Sequence, residues 1–217
     1  MNNQHNNIEV INIPGALRLV GIIGGVWALL VIFSATLAYL PGNPDFSIFT
    51  TYLSDIGDTA GWPQILFNSG TLIAVPMRYL ALALVALRLT QFGAGRSFTI
   101  AVLVIGFFST AGTALMTATP FSVAPMVHKS GIGLYFLGVV FLQTVIAVKE
   151  WSLKDVPRIL PVLSLVLVVL FFVFATLIML YEGGMVGRNT PVIWEWLCAL
   201  SSIAWLFAHG ILLGKGR

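Results

Sequence analysis

The sequence predicts an all-α polytopic membrane protein: a bundle of six transmembrane helices with a short interfacial helix in its first outer loop. Two observations carry that expectation. Apolar residues make up 58% of the chain and charged residues only 9%, with a mean hydropathy of +0.96, whereas a soluble domain carries about 25% charged residues. The apolar residues also gather into six runs, and a hydrocarbon core about 30 Å thick needs roughly 20 of them per helix. The expected organisation is a polar cytoplasmic tail over 1–16 and one transmembrane domain over 17–214. Its spans fall near 17–40, 64–89, 97–119, 129–148, 159–181 and 192–213.

The N-terminal tail is polar and nearly uncharged, and no small-residue cleavage site ends the first apolar run. An uncleaved first span is therefore expected rather than a signal peptide. Gly21 and Gly25 give that span a small-xxx-small face that permits close helix approach. Pro41-Gly42-Asn43-Pro44 ends it. The outer loop that follows is about 22 residues long, more than a connection without structure of its own usually takes. Asn43 before Pro44 reads as a helix cap and first-turn pair. Phe46, Phe49, Leu53 and Ile56 recur at helical spacing, which predicts a helix in the interface, with Ser54 and Asp55 turned off its apolar edge and Gly57 ending it.

The second span carries Asn68 near its start, then Pro76 and Arg78. Proline frees a carbonyl one turn back and usually kinks a spanning helix. Arg78 lies too deep for easy snorkelling and has no acidic residue at its expected depth; an intramembrane arginine is either functional or buried in the bundle. On the third span Gly106, Thr110, Thr113 and Thr117 share one face. Threonines in lipid commonly satisfy backbone or neighbouring helices; lining a cavity is the alternative. The fourth span opens on His128-Lys129, and the fifth follows the charged turn from Lys149-Glu150-Trp151 to Arg158 and is nearly featureless, a supporting helix. Thr190-Pro191 caps the sixth, which opens with Trp194, Glu195 and Trp196 and carries His209 toward its other end.

Lysines and arginines near helix ends favour cytoplasmic termini, and they place Asp45, Asp55, Asp58, Glu182 and Glu195 together outside. The membrane would be the plasma membrane, or the inner membrane in a prokaryote. A net charge of +3 does not imply nucleic acid, because the basic residues are scattered over loop ends. No nucleotide is expected, since the glycines lack a strand-to-helix phosphate loop. Nor is a haem, because His128 and His209 fall at opposite ends of the membrane, roughly 20 Å apart. His209 is expected to bond a neighbouring helix or to share a cavity with Arg78. The single cysteine, Cys198, excludes an intramolecular disulfide and reads as a packing residue.

Topology thus brings Asp55, His128 and Glu195 to one surface. Two carboxylates and an imidazole suffice for general acid/base work. In that reading His128 is the base, Asp55 its orienter, Glu195 a second acid, and Ser54 a nucleophile or a hydrogen-bond donor to a bound headgroup. Asn68, Arg78, Thr113 and Thr117 would line the substrate-binding region. Asp55, His128 and Glu195 could equally hold a divalent metal. The bland alternative is a cap network in which the carboxylates accept loop N–H bonds. Side chains converging within about 4 Å beside an open groove would favour chemistry, and satisfaction by loop backbone the cap.

Tyr52-Leu53-Ser54-Asp55-Ile56-Gly57, followed by Pro63 and Phe67, resembles the signature of the FRAG/DRAM/SFK superfamily, and the resemblance continues at His128, Gly131 and Phe136 and at Glu195-Trp196. Gln64 departs from the acidic residue many members carry there. A bacterial and archaeal group of uncharacterised six-span proteins is similar too. The resemblance implies six spans, cytoplasmic termini and lipid-linked work without a fixed reaction, in a superfamily associated with glycolipid-anchor remodelling, phosphoinositide kinase recruitment, lipid asymmetry and autophagy. The expected function is an outer-leaflet site that acts on or binds phospholipid or glycolipid headgroups. The rivals are a non-catalytic lipid-organising or adaptor protein and a small-solute transporter. Partners would be membrane lipids, and a second copy or a cytoplasmic protein.

Overall fold

The computed structural model describes residues 12–215. Most of the expected tail, residues 1–11, and Arg217 lie outside the described residues. Among the described residues seven α-helices follow one another: α1 (Ile13–Tyr39), α2 (Leu53–Asp58), α3 (Trp62–Gln91), α4 (Arg96–Ala118), α5 (Pro125–Ser152), α6 (Ile159–Glu182) and α7 (Val192–Leu213). All but α2 are long and apolar enough to cross a membrane. An apolar chain in lipid must satisfy its backbone polar groups internally, and the helix does so within one segment.

Several ends differ from the sequence reading for local reasons. Helix α1 starts at Ile13 because the Asn12 side chain accepts the Gly15 N–H at 3.0 Å and Pro14 occupies the first turn. Helix α5 starts at Pro125, which needs no N–H partner there. Helix α3 runs unbroken through Pro76. In the first loop, Asn43 starts no helix. Its side chain instead donates to the Tyr39 carbonyl at 3.0 Å, closing the end of α1 after the short 3-10 turn Leu40–Gly42. Residues 44–52 wind as turns, and α2 begins only at Leu53 and continues through Gly57. It buries Leu53, Ile56 and Gly57 and leaves Ser54 exposed and Asp55 half-exposed.

The six long helices close into a ring in the order α1, α3, α4, α5, α6, α7, with α7 returning to α1. Two seams are backbone to backbone. A Cβ on Gly21 would lie 2.7 Å from Gly210 Cα, and one on Gly112 would lie 2.5 Å from the Tyr135 nitrogen. Only glycine lets α1 meet α7 and α4 meet α5 so closely, so these small-residue faces are used inside the molecule. Large apolar side chains such as Phe33, Leu137 and Phe172 point outward, as a lipid-facing surface requires. The buried polar residues include Ser109, Gln143, Glu150, Ser164 and His209.

Candidate functional site

Polar side chains collect in three places: the α2 end of the ring, its interior, and the end opposite α2. At the α2 end, two carboxylates saturate the N-terminus of α2. The Asp55 Oδ2 accepts the Tyr52 N–H at 2.9 Å, and the Glu195 Oε2 accepts the Leu53 N–H at 2.6 Å. The Ser54 hydroxyl and N–H lie near the same Glu195 carboxylate. These N–H groups have no partner within the helix and attract carboxylates for that reason. Arg188 joins from the loop before α7. It reaches both Asp55 oxygens, at 2.7 and 2.5 Å, and the Thr50 carbonyl at 3.0 Å, while its guanidinium lies 4.9 Å from the Tyr52 ring centre. The hydrogen bond to Asp55 pushes Arg188 above its ordinary pKa. Burial, then the nearby Glu195 charge, pushes Tyr52 up to about 12, so its hydroxyl keeps its proton and donates to the Arg188 carbonyl at 2.9 Å.

His128 stands apart from this cluster. Its Nδ1 faces the Thr119 carbonyl at 2.9 Å, and Phe121 packs against its ring. A carbonyl only accepts, so Nδ1 carries the hydrogen. None of its contacts is with Ser54, Asp55 or Glu195. Among the described residues no group of three His, Cys, Asp or Glu side chains is placed to hold a metal ion; the expected ligands Asp55, His128 and Glu195 are not gathered. Asn68 donates to the Gly57 carbonyl at 2.9 Å and ties the end of α2 to α3. Asp58 accepts from Ser122, and Lys129 pairs with Glu182 at 2.7 Å.

In the interior, near the middle of α3, Arg78 donates from Nη1 to the Thr113 hydroxyl at 2.6 Å and from Nη2 to the Ser109 hydroxyl at 2.7 Å, both on α4. Its guanidinium also lies 4.8 Å from the Tyr135 ring centre. Among the described residues no carboxylate pairs with it. Arg78 borders a partly open chamber of about 160 Å³ lined by α1, α3, α5, α6 and α7. Gln143, Tyr135, Ser202 and Trp205 also line it, and the remaining lining is apolar or small. Gln143 is 5% exposed, and its amide has no hydrogen-bond partner among the described residues. Thr117 is buried on the same helix as Thr113.

The opposite end holds a pair the sequence reading missed. His209 Nε2 meets Glu150 Oε1 at 2.8 Å, with both side chains 0% exposed. His209 thus bonds another helix of the bundle through Glu150, the first of the two expectations for it, and is not joined to Arg78, the second. Its Nδ1 faces the Trp205 carbonyl at 2.8 Å and so carries a hydrogen, which leaves one proton between Nε2 and Oε1. Wherever that proton sits, the pair is neutral overall. Ser164 donates to Glu150 and accepts from the Trp205 indole at 2.8 Å, so α6, expected to be featureless, supplies a polar link.

Two signals could have found this pair. Gln143 and Glu150 are seven apart on α5, and Ser202, Trp205 and His209 recur at three and four on α7, the spacings of one helix face. Arg188 could have been found as a basic residue on the acidic side of the chain.

A family model described as a protein of unknown function, DUF998, matches residues 22–212. No curated protein and no solved structure matches the chain. The matched stretch begins inside α1 and ends inside α7, and therefore takes in the whole ring: the chain belongs to the DUF998 family.

Proposed function

We propose that this protein binds membrane lipid by its headgroup inside the helical ring and organises lipid without transforming it. Arg78 carries the reading. A guanidinium at the depth of a spanning helix costs several kcal/mol, and a purely structural arginine recovers that cost from a carboxylate or from backbone carbonyls. Arg78 instead rests on two neutral hydroxyls and one ring face, next to open space. Its charge is left for something that comes from outside the chain. The partnered state of Asp55 and Glu195 supports binding over catalysis, since both are occupied holding α2, and among the described residues no imidazole bonds Ser54.

The likeness of Tyr52 to Gly57, His128 and Glu195-Trp196 to the FRAG/DRAM/SFK superfamily supports lipid-linked work, and we extend the family assignment to that superfamily on this ground. The lysine and arginine distribution supports cytoplasmic termini, with the α2 end outside, in the plasma membrane or a prokaryotic inner membrane. The test is native mass spectrometry of protein extracted in mild detergent. Wild type should retain lipid adducts and Arg78→Gln should lose them while melting at a similar temperature. Equal adducts on both proteins would end the reading.

A further inference from the structure

Arg78 offers five N–H donors, and two are used on Thr113 and Ser109. Three remain. Gln143, from α5, contributes an amide that no described residue satisfies, although the residue is only 5% exposed. Of its two polar atoms, Oε1 is fully enclosed, which leaves the NH2 as the end that can meet a ligand in the chamber it lines. Burying an amide without a partner costs about 1–3 kcal/mol. A chamber bordered by one permanent cation and two further amide donors, with no carboxylate among its lining residues, is electrostatically and sterically an anion site.

The donor count selects among anions. A carboxylate has two oxygens, and the guanidinium alone can satisfy them. A phosphate ester has further oxygens, which suit donors arriving from a second helix. The volume is compatible: about 160 Å³ is several times the roughly 10–15 Å³ that a single water needs, room for a phosphate group. We infer that the chamber between Arg78 and Gln143 is a site for a phosphate-type anionic headgroup, with Arg78 supplying the charge and Gln143 the donors that distinguish phosphate from carboxylate. This deepens the lipid-binding reading and rests on it.

The full-length protein in nanodiscs of neutral phosphatidylcholine would be titrated with phosphatidylmethanol, an anionic phosphodiester with no headgroup donor, and with oleate, at a pH that ionises both. Wild type should bind the phospholipid roughly tenfold more tightly than oleate, the ratio one charge-assisted hydrogen bond sustains. Gln143→Met should reduce that ratio to near one and leave oleate binding in place. Gln143→Glu, which sets a carboxylate in the chamber with Arg78, should lose both anions. Equal binding of phospholipid and oleate by wild type, or an unchanged preference in Gln143→Met, would overturn the phosphate assignment and leave lipid binding standing. Anion binding that survives Arg78→Gln would remove the lipid reading itself. Displacement of the bound phospholipid by millimolar inorganic phosphate would show that the site serves a soluble phosphate, and would overturn the lipid as its source.

Discussion

At the α2 end Asp55, Asp58, Glu182 and Glu195 each have a partner, in Arg188, Ser122, Lys129 and the Leu53 N–H respectively. In the ring interior, among the described residues, Arg78 has no opposite charge and the Gln143 side chain no hydrogen-bond partner. The α2 end is the more polar region and, at the membrane boundary, the cheaper place to keep charge. The interior is the more expensive place, yet it is there that polar groups stand unmatched. A polar group whose bonds are complete inside the chain is explained by the fold. One left incomplete in lipid needs a partner that the chain does not provide. The Glu150–His209 pair belongs with the first kind: it is buried, but closed and neutral.

If closed clusters are structural, breaking them should cost stability and spare binding. The largest effect is expected at the opposite end. His209→Ala strands Glu150 in a fully buried site and should destabilise the protein by about 3–5 kcal/mol, read as a lower midpoint in denaturant-titrated micelles. Glu150→Gln should cost clearly less, because its NH2 can donate to Nε2 where the shared proton stood. A smaller loss is expected at the α2 end. Asp55→Ala removes a capping acceptor and the Arg188 clasp, and should cost about 1–2 kcal/mol. Arg188→Ala should cost less than that, since the ion pair is about half exposed and screened by water. The smallest effect belongs to His128→Ala, at about 1 kcal/mol for one carbonyl hydrogen bond. A drop in lipid retention in the folded fraction of any of these variants would blur the contrast between the two regions.

The fold was legible because hydropathy is a one-dimensional signal: six apolar runs in lipid have little choice but six helices. Arg78 was legible for the same reason, as a charge in an apolar run, and so was the threonine face of α4 that receives it. The boundaries of the first loop were not. Asn43-Pro44 has the composition of a helix start, but the Asn43 amide is drawn to the free Tyr39 carbonyl one turn behind it. Glu150 was read as a turn charge because Lys149 and Trp151 flank it. Only closure of the ring turns it inward, toward a histidine 59 positions away. Arg188 and Asp55 are 133 positions apart, and His128, one residue before its expected span, is drawn to Thr119 by a local carbonyl. Pairings of this kind are set by which helices become neighbours, and no local spacing encodes that.

The comparison comes to a single experiment: native mass spectra of wild type, Arg78→Gln and Asp55→Asn, taken below the melting temperature of each. The account predicts lipid adducts on wild type and on Asp55→Asn, and their loss from Arg78→Gln. Adducts that persist on Arg78→Gln and vanish from Asp55→Asn would place the lipid at the α2 end and contradict it.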